Sequence, residues 1–336
     1  MSVKISPKSR NCSIDIFRIL FAIYVVALHS IPIWLDSHPF LSVTILSFFR
    51  FSVPFFLMIS GYYFFKKSEN YLSNIFIYLK KIIITYFFWS CLYFVISFIS
   101  WGYKSPVGFL VNCVYSFLVS GSYYHLWYFP ALIFAICLSA LFYRLGLKKT
   151  LFCISFLVYP LCYLLSNYNL LTSAPVVSKG ISILQPLAQG LFYFNCGQLI
   201  NIIHHKYTTT KNQRSLTFIL PFCVLLWFAL IWCDFFFSLD LDLIIIFGIY
   251  FNVGMIILVL LLNPMPKYSD AAQKCRYLAN FTYYSHPFFR FLLDYINKNW
   301  ITFSDSWNFP ITIALTITIG LILYHINNKH MNRFIG

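Results

Sequence analysis

The stretch "SIDIFRILFAIYVVALHS", residues 13–30, has the composition of a membrane-spanning helix but carries Asp15, Arg18 and His29. A helix needs about 20 predominantly apolar residues to cross a bilayer. An ionisable side chain at the centre of such a helix costs about 2.5–3.5 kcal/mol on insertion scales, so ionisable residues there usually serve a function. Three of them in one apolar run make this segment the first candidate for a functional site.

The composition of the whole chain excludes a soluble globular protein and a disordered one. Hydrophobic residues make up 60% of the 336 positions and charged residues only 10%. This balance predicts an all-α polytopic membrane protein. The first apolar segment is too long for a cleaved signal peptide and is kept as structure. Hydrophobic runs predict ten transmembrane helices, at about 16–35, 43–65, 78–101, 125–143, 150–166, 181–203, 215–236, 241–263, 278–297 and 308–327.

The distribution of positive charge predicts the orientation of these helices. An even number of spans places both termini on one side of the membrane. Only three basic residues lie in the loops of the opposite side, namely Lys104, Lys179 and Lys298. Because cytoplasmic loops are enriched in Lys and Arg, both termini are expected in the cytoplasm, with the protein in the cytoplasmic (inner) membrane. The same bias accounts for the net charge of +15 without a nucleic-acid partner.

Short loops indicate a single integral-membrane domain over residues 1–336, with no soluble C-terminal domain. One outer stretch, "VGFLVNCVYSFLV" at residues 107–119, is apolar but too short to span, so it predicts a re-entrant or interfacial helix. The ten cysteines lie mostly inside apolar runs and form no Cys-x-x-Cys pair, so neither disulfides nor a metal site are expected.

Helical geometry brings the three ionisable residues of the first segment onto one face. Arg18 and His29 are eleven residues apart, which corresponds to about three turns and roughly 16 Å along the axis. Asp15 lies three residues before Arg18, where an ion pair can form. Small or slim residues, Ala22 and Val25 among them, separate the two ends of this stripe. Two readings remain open: another helix packs closely against the stripe, or an elongated ligand runs along it.

Five motifs resemble, in order, those of the membrane acyltransferase-3 family. They are "IDIFRILFAIYVVALHS" with its Arg-x10-His (14–30), "RFSVPFFLMISGYYFFKK" (50–67), "HLWYFPALIFA" (125–135), "LFYFNCGQLI" (191–200) and "NFTYYSHPFF" (280–289). They occur between residues 14 and 289, so the resemblance extends over most of the chain. The second motif is most similar to the branch that O-acetylates surface polysaccharides, including the enterobacterial common antigen O-acetyltransferase. That branch also resembles the membrane half of serine racemases.

The resemblance implies an acyl-CoA donor, most often acetyl-CoA, and a sugar hydroxyl as the acceptor, on a lipid-linked or nascent surface glycan. On this reading Arg18 meets the donor, steadied by Asp15, and His29 is the general base for the acceptor hydroxyl, because the ordinary pKa of histidine lies near working pH. His286 is a second catalytic candidate, and Ser60 a candidate for a covalent route, although a Ser-Gly pair in a membrane helix is more often a packing feature.

The remaining candidates concern substrate binding. Lys80 and Lys81 stand where the family often has an Arg-x-x-Arg pattern, and they are candidates for binding the donor phosphates. Lysine binds phosphate as a point charge, without the bidentate geometry of arginine. Candidate groups for the acceptor or the developing oxyanion are Arg50, Tyr62, His125, Trp127 and Arg290. Arg50 and Arg290 could instead pair with carboxylates, Arg290 with Asp294 one turn on.

A transporter of an amino acid or of an acyl group is the rival interpretation. The ionisable residues of the first segment would then line a permeation path rather than a reaction site. Acyl transfer by the purified protein would favour the enzyme, and uptake without transfer would favour the transporter.

Overall fold

All secondary structure in the described part of the chain is helical. In the computed structural model these residues are 11–30, 38–66, 71–101, 105–167, 175–208, 213–239, 242–264 and 270–326. They contain twelve α-helices and no strand, as expected for an all-α protein. The helices are α1 (Cys12–Ser30), α2 (Pro39–Phe49), α3 (Ser52–Lys66), α4 (Tyr71–Trp101), α5 (Pro106–Tyr115), α6 (Tyr128–Arg144), α7 (Lys148–Asn167), α8 (Pro175–Thr208), α9 (Gln213–Phe237), α10 (Asp242–Leu262), α11 (Asp270–Asn299) and α12 (Asn308–Ile326).

Seven helical segments in the described residues are long and apolar enough to cross a membrane. They are Cys12–Ser30, Pro39–Phe64, Ile75–Ser100, Lys148–Ser166, Thr217–Phe237, Ile244–Leu262 and Asp305–Ile326. The second of these, predicted as one span at 43–65, consists of α2 and α3, which are separated by a turn at residues 50–51. Of the other three predicted spans, 181–203 and 278–297 lie within α8 and α11, and 125–143 lies in α6 except for its first three residues, which form a turn. Helix α6 is shorter than the seven, whereas α8 and α11 are long and carry many polar residues.

The apolar segment at 107–119 forms a short helix, α5, followed by a π-helical turn at Ser116–Ser120. Ser105 caps its start by accepting a hydrogen bond from the Gly108 N–H, and Pro106 occupies the first turn, where no N–H is needed. Its apolar side chains are exposed, with Val107 and Leu110 among the most accessible.

The chain divides into two compact units, residues 1–56 with 200–336 (unit 1) and residues 57–199 (unit 2). In unit 1, α1 makes its most extensive contacts with α11, and α11 packs in turn against α12. Small residues allow these contacts: Gly320 of α12 lies so close to Leu278 and Phe281 of α11 that a Cβ atom there would come within 2.8 Å of the Leu278 side chain.

The start of α1 is anchored by side chains that bond the main chain. The Asn11 side chain accepts a hydrogen bond from the Ile14 N–H and so caps the helix. Its amide also donates to the Leu260 carbonyl at 2.9 Å, and the Ser13 hydroxyl donates to the Asn263 carbonyl at 3.2 Å. The N-terminus of α1 is therefore fixed to the end of α10 within unit 1.

In unit 2, α3 and α8 approach each other closely at two glycines. A Cβ on Gly61 would overlap the Phe194 carbonyl, and a Cβ on Gly197 would overlap the Met58 carbonyl and lie 2.6 Å from the Tyr62 nitrogen. Such close backbone approach is typical of helix pairs in membranes, where dispersion contacts replace the hydrophobic effect. Tyr62 and Phe194 are fully buried around this crossing.

We predict that Gly61→Ala destabilises unit 2, because a methyl group there meets main-chain atoms that belong to a helix and cannot move alone. The melting temperature of the purified protein in detergent should fall by several degrees. Gly180→Ala is the matched control, since a Cβ at this position of α8 meets nothing within 4 Å. Equal melting temperatures for the two variants would show that the α3–α8 crossing is not tight.

Candidate active site

Asp15 and Arg18 form an ion pair in the first turns of α1. Arg18 Nη1 lies 3.5 Å from Asp15 Oδ1, as the three-residue spacing predicts. The Asp15 side chain is 6% exposed and that of Arg18 is 19% exposed, so the pair is largely removed from water. The Nε atom of Arg18 is buried and has no hydrogen-bond partner among the described residues. The guanidinium therefore retains capacity to bind a further acceptor.

The stripe between Arg18 and His29 is covered by protein. Ala22, Val25 and Val26 are all buried, and α1 has its main contact with α11. Of the two readings that the sequence leaves open, helix packing is the one seen along this part of α1. No open groove for an elongated ligand passes over these three residues.

His29 and His286 lie side by side at the other end of this contact. Their ring centroids are 5.8 Å apart and the ring planes differ by 14°. His286, in the middle of α11, is 1% exposed, and its Nδ1 lies 2.9 Å from the Tyr283 carbonyl and 3.2 Å from the Thr282 carbonyl. Two predicted catalytic residues, 257 positions apart in the sequence, thus meet in one site.

Arg290 joins the end of α1 to α11. Its Nε donates to both carboxylate oxygens of Asp294, at 3.0 and 3.2 Å, which confirms the expected pair one turn apart. Its Nη1 also donates to the main-chain carbonyl of His29 at 3.4 Å. A cation at the carboxyl end of a helix is stabilising, because the last carbonyls of the helix are not used internally. Arg290 thereby fixes the backbone that carries His29.

The candidates on α3 and in the turn before α6 lie in unit 2. The hydroxyl groups of Ser60 and Tyr128 share a hydrogen bond of 3.2 Å, and Tyr62 is buried with its ring edge-on to Tyr63. His125 is buried and makes edge-to-face contacts with three tyrosines, Tyr93, Tyr123 and Tyr124.

Trp127 follows His125 in a turn that depends on a glycine. Gly121 has a φ of +87°, in the left-handed region, and a side chain there would collide with the Trp127 main chain. The remaining candidates are exposed cations: Lys80 and Lys81 lie on α4 in unit 2, and Arg50 follows the last turn of α2 in unit 1.

The family assignment follows from comparison with known proteins. The family model described as an acyltransferase domain, acyltransferase-3, matches residues 11–325, nearly the whole chain. The chain belongs to the acyltransferase-3 family. Together with its apolar helices, this membership makes it a multi-pass membrane protein and an acyltransferase-family protein.

The curated relatives of this acyltransferase-3 protein are named as racemases. An amino-acid racemase of Enterococcus faecalis is 27% identical over 96% of this chain and 47% of its own length. A serine/alanine racemase of Enterococcus gallinarum is 38% identical over 42% of this chain and 21% of its own length. The chain thus spans less than half the length of the curated relatives it matches. No solved structure matches it.

The candidate residues predicted from the sequence do not include the main-chain groups that orient the site. These groups are the Tyr283 carbonyl, which the His286 ring bonds, and the His29 carbonyl, which Arg290 bonds. The His-Pro dipeptide inside an apolar run is a signal for the first of them, because a proline in a helix releases a carbonyl four residues earlier. The contact of Arg290 with His29 depends on tertiary packing and carries no sequence signal.

We predict that Asp15→Asn destabilises the protein by about 1–3 kcal/mol, because it leaves the poorly hydrated Arg18 guanidinium without its charged partner. Chemical or thermal unfolding in detergent measures the change. Asp294→Asn is the matched control, since this carboxylate also pairs with an arginine on its own helix but is 51% exposed. A larger loss for Asp294→Asn than for Asp15→Asn would contradict the account.

Proposed function

We propose that this protein is a membrane O-acyltransferase that transfers acetyl from acetyl-CoA to a hydroxyl of a lipid-linked or nascent surface glycan, such as O-antigen, capsule or exopolysaccharide. Family membership supports acyl transfer. The observation that carries the proposal is the meeting of His29 and His286, which puts two imidazoles beside each other in the interior of unit 1. Proton removal from a hydroxyl is the step of acyl transfer that an imidazole performs best.

His29 is the proposed general base and His286 its catalytic partner. The acceptor O–H bond breaks as His29 takes the proton, the oxygen attacks the thioester carbonyl, and the carbon–sulfur bond breaks. The departing thiolate then takes the proton back from His29, so the balance of atoms and charge closes. Because these reaction steps need no metal ion, none is proposed. A developing oxyanion would need hydrogen-bond donors, and Ser60, Tyr62, His125 and Trp127 remain candidates for that role or for sugar contacts.

Arg18 is the proposed contact for a phosphate of the donor. Its guanidinium lies roughly 16 Å from His29 along the axis of α1. Because Ala22, Val25 and Val26 between them are buried, the rest of the donor would reach His29 by a route other than this stripe. The guanidinium forms an ion pair with Asp15, and its Nε atom makes no hydrogen bond to the described residues. Lys80 and Lys81 are proposed to attract the phosphates of the donor. Arg50 and Arg290 are proposed to attract an anionic acceptor. We further propose that the protein lies in the inner membrane with both termini in the cytoplasm, where acetyl-CoA is found.

A second candidate function is transport of an amino acid or acyl group. The racemase names of the relatives favour it, because the chain matches only part of those proteins and a membrane part could supply substrate to an enzymatic part. Uptake of labelled L-serine into proteoliposomes, without acyl transfer, would support this function and exclude the first.

We predict that the purified wild-type protein transfers label from acetyl-CoA to host glycan, and that His29→Ala and His286→Ala each lower the rate by about 10²–10⁴-fold, the usual contribution of acid–base catalysis. The measurement is labelled acetate released from the glycan by mild base. His325→Ala is the control, since this histidine is exposed at the far end of α12. A folded His29→Ala protein with full transfer would remove His29 from the mechanism.

A further inference from the structure

The helix α11 has an unused carbonyl next to His286. Pro287 has no N–H, so the carbonyl four residues earlier, that of Tyr283, receives no helical hydrogen bond from it. The side chain of His286 takes this position instead, with Nδ1 at 2.9 Å from the Tyr283 oxygen. A second, longer contact of 3.2 Å joins Nδ1 to the Thr282 carbonyl. The proline and the histidine before it therefore act together on one main-chain acceptor.

This contact decides which ring nitrogen of His286 carries the proton. A carbonyl oxygen can only accept, so Nδ1 must donate, and in a neutral imidazole the lone pair then lies on Nε2. His286, Pro287 and Thr282 are all buried, so water does not compete for the carbonyls. In a membrane interior, a carbonyl released by proline needs an internal partner, which makes the arrangement stable.

We propose that Pro287 is a positioning residue that holds His286 as the Nδ1–H tautomer. Nε2 of His286 then accepts a hydrogen bond from the ring N–H of His29. The other ring nitrogen of His29 is left unprotonated, so it can take the proton of the acceptor hydroxyl. This inference rests on the proposed acyl transfer for its catalytic meaning. The chain of groups runs from the Tyr283 carbonyl through His286 to His29. It serves the purpose that a carboxylate serves in a Ser-His-Asp triad, which is to fix the tautomer and orientation of the base.

The structure places the two rings near each other but does not contain this hydrogen bond, which is part of the proposal. The two rings are nearly parallel, and their centroids are 5.8 Å apart. An N–H···N bond of about 3 Å between ring edges requires the rings to approach slightly further, and catalytic hydrogen bonds in ligand-free enzymes commonly tighten when substrate binds. Arg290 lies on α11, as His286 does, and bonds the His29 main-chain carbonyl. In this proposal α11 therefore orients both the backbone and the ring of His29.

The test combines nitrogen NMR with kinetics. Wild-type protein with ¹⁵N-labelled histidine is reconstituted in bilayers, and the signals of His286 are those that disappear in His286→Gln. We expect a protonated Nδ1 and an unprotonated Nε2. Pro287→Ala restores an N–H that competes for the Tyr283 carbonyl, so this signature should give way to a mixture of tautomers. The kcat should fall about tenfold or more with little change in KM, because the base is misoriented while substrate binding is kept.

Pro186→Ala is the matched control, since Pro186 also lies inside a long helix, α8, and is partly buried. It should change neither the histidine signals nor kcat. If His286 of the wild-type protein is protonated on Nε2, the inference is overturned, whether or not the protein transfers acyl groups. This measurement does not require the Pro287→Ala protein to fold. Retention of both the signature and kcat in Pro287→Ala overturns it as well. Absence of acyl transfer by the wild type contradicts the proposed function instead, while the tautomer remains measurable.

Discussion

The contact between α1 and α11 is the interaction on which the candidate site depends. Asn11 and Ser13 fix the beginning of α1 to the main chain near the end of α10, and Arg290 fixes its last turn to α11. Between these anchors the small residues Ala22 and Val26 are fully buried, which lets the helices approach closely. His29 and His286 meet because both ends of α1 are held. A shift of one helical turn, about 5.4 Å, would separate their rings.

The low polarity of the membrane interior explains why the ionisable residues of the site are paired with groups of the protein. In hydrocarbon, main-chain and side-chain polar groups need internal partners, and each charge needs a counter-charge. Asp15 with Arg18 and Asp294 with Arg290 satisfy the charges within a single helix, one turn apart. His286 satisfies the carbonyl that Pro287 releases. The candidate functional groups are thus held in position by the same requirement that makes their presence in an apolar helix costly.

Local features of the fold and site could be predicted from the sequence, whereas tertiary ones could not. The helical spacing of Asp15 and Arg18, and of Arg290 and Asp294, predicts both ion pairs because each pair lies on one helix. The first span is predicted at about 16–35, and α1 runs from Cys12 to Ser30, while residues 31–35 lie outside the described residues. In contrast, α8 and α11 extend well beyond the predicted spans, because hydropathy detects only the apolar part of a helix. The pairing of His29 with His286 required the packing of distant helices, which no local pattern encodes.

The most direct measurement of the central claim is the ester-linked acetyl content of the host's surface glycans after deletion of the gene. We expect one glycan to lose its acetyl esters and the wild-type gene to restore them. The His29→Ala gene, expressed to the same level in the membrane, should not restore them. Unchanged acetyl content in every surface glycan of the deletion strain would contradict the account.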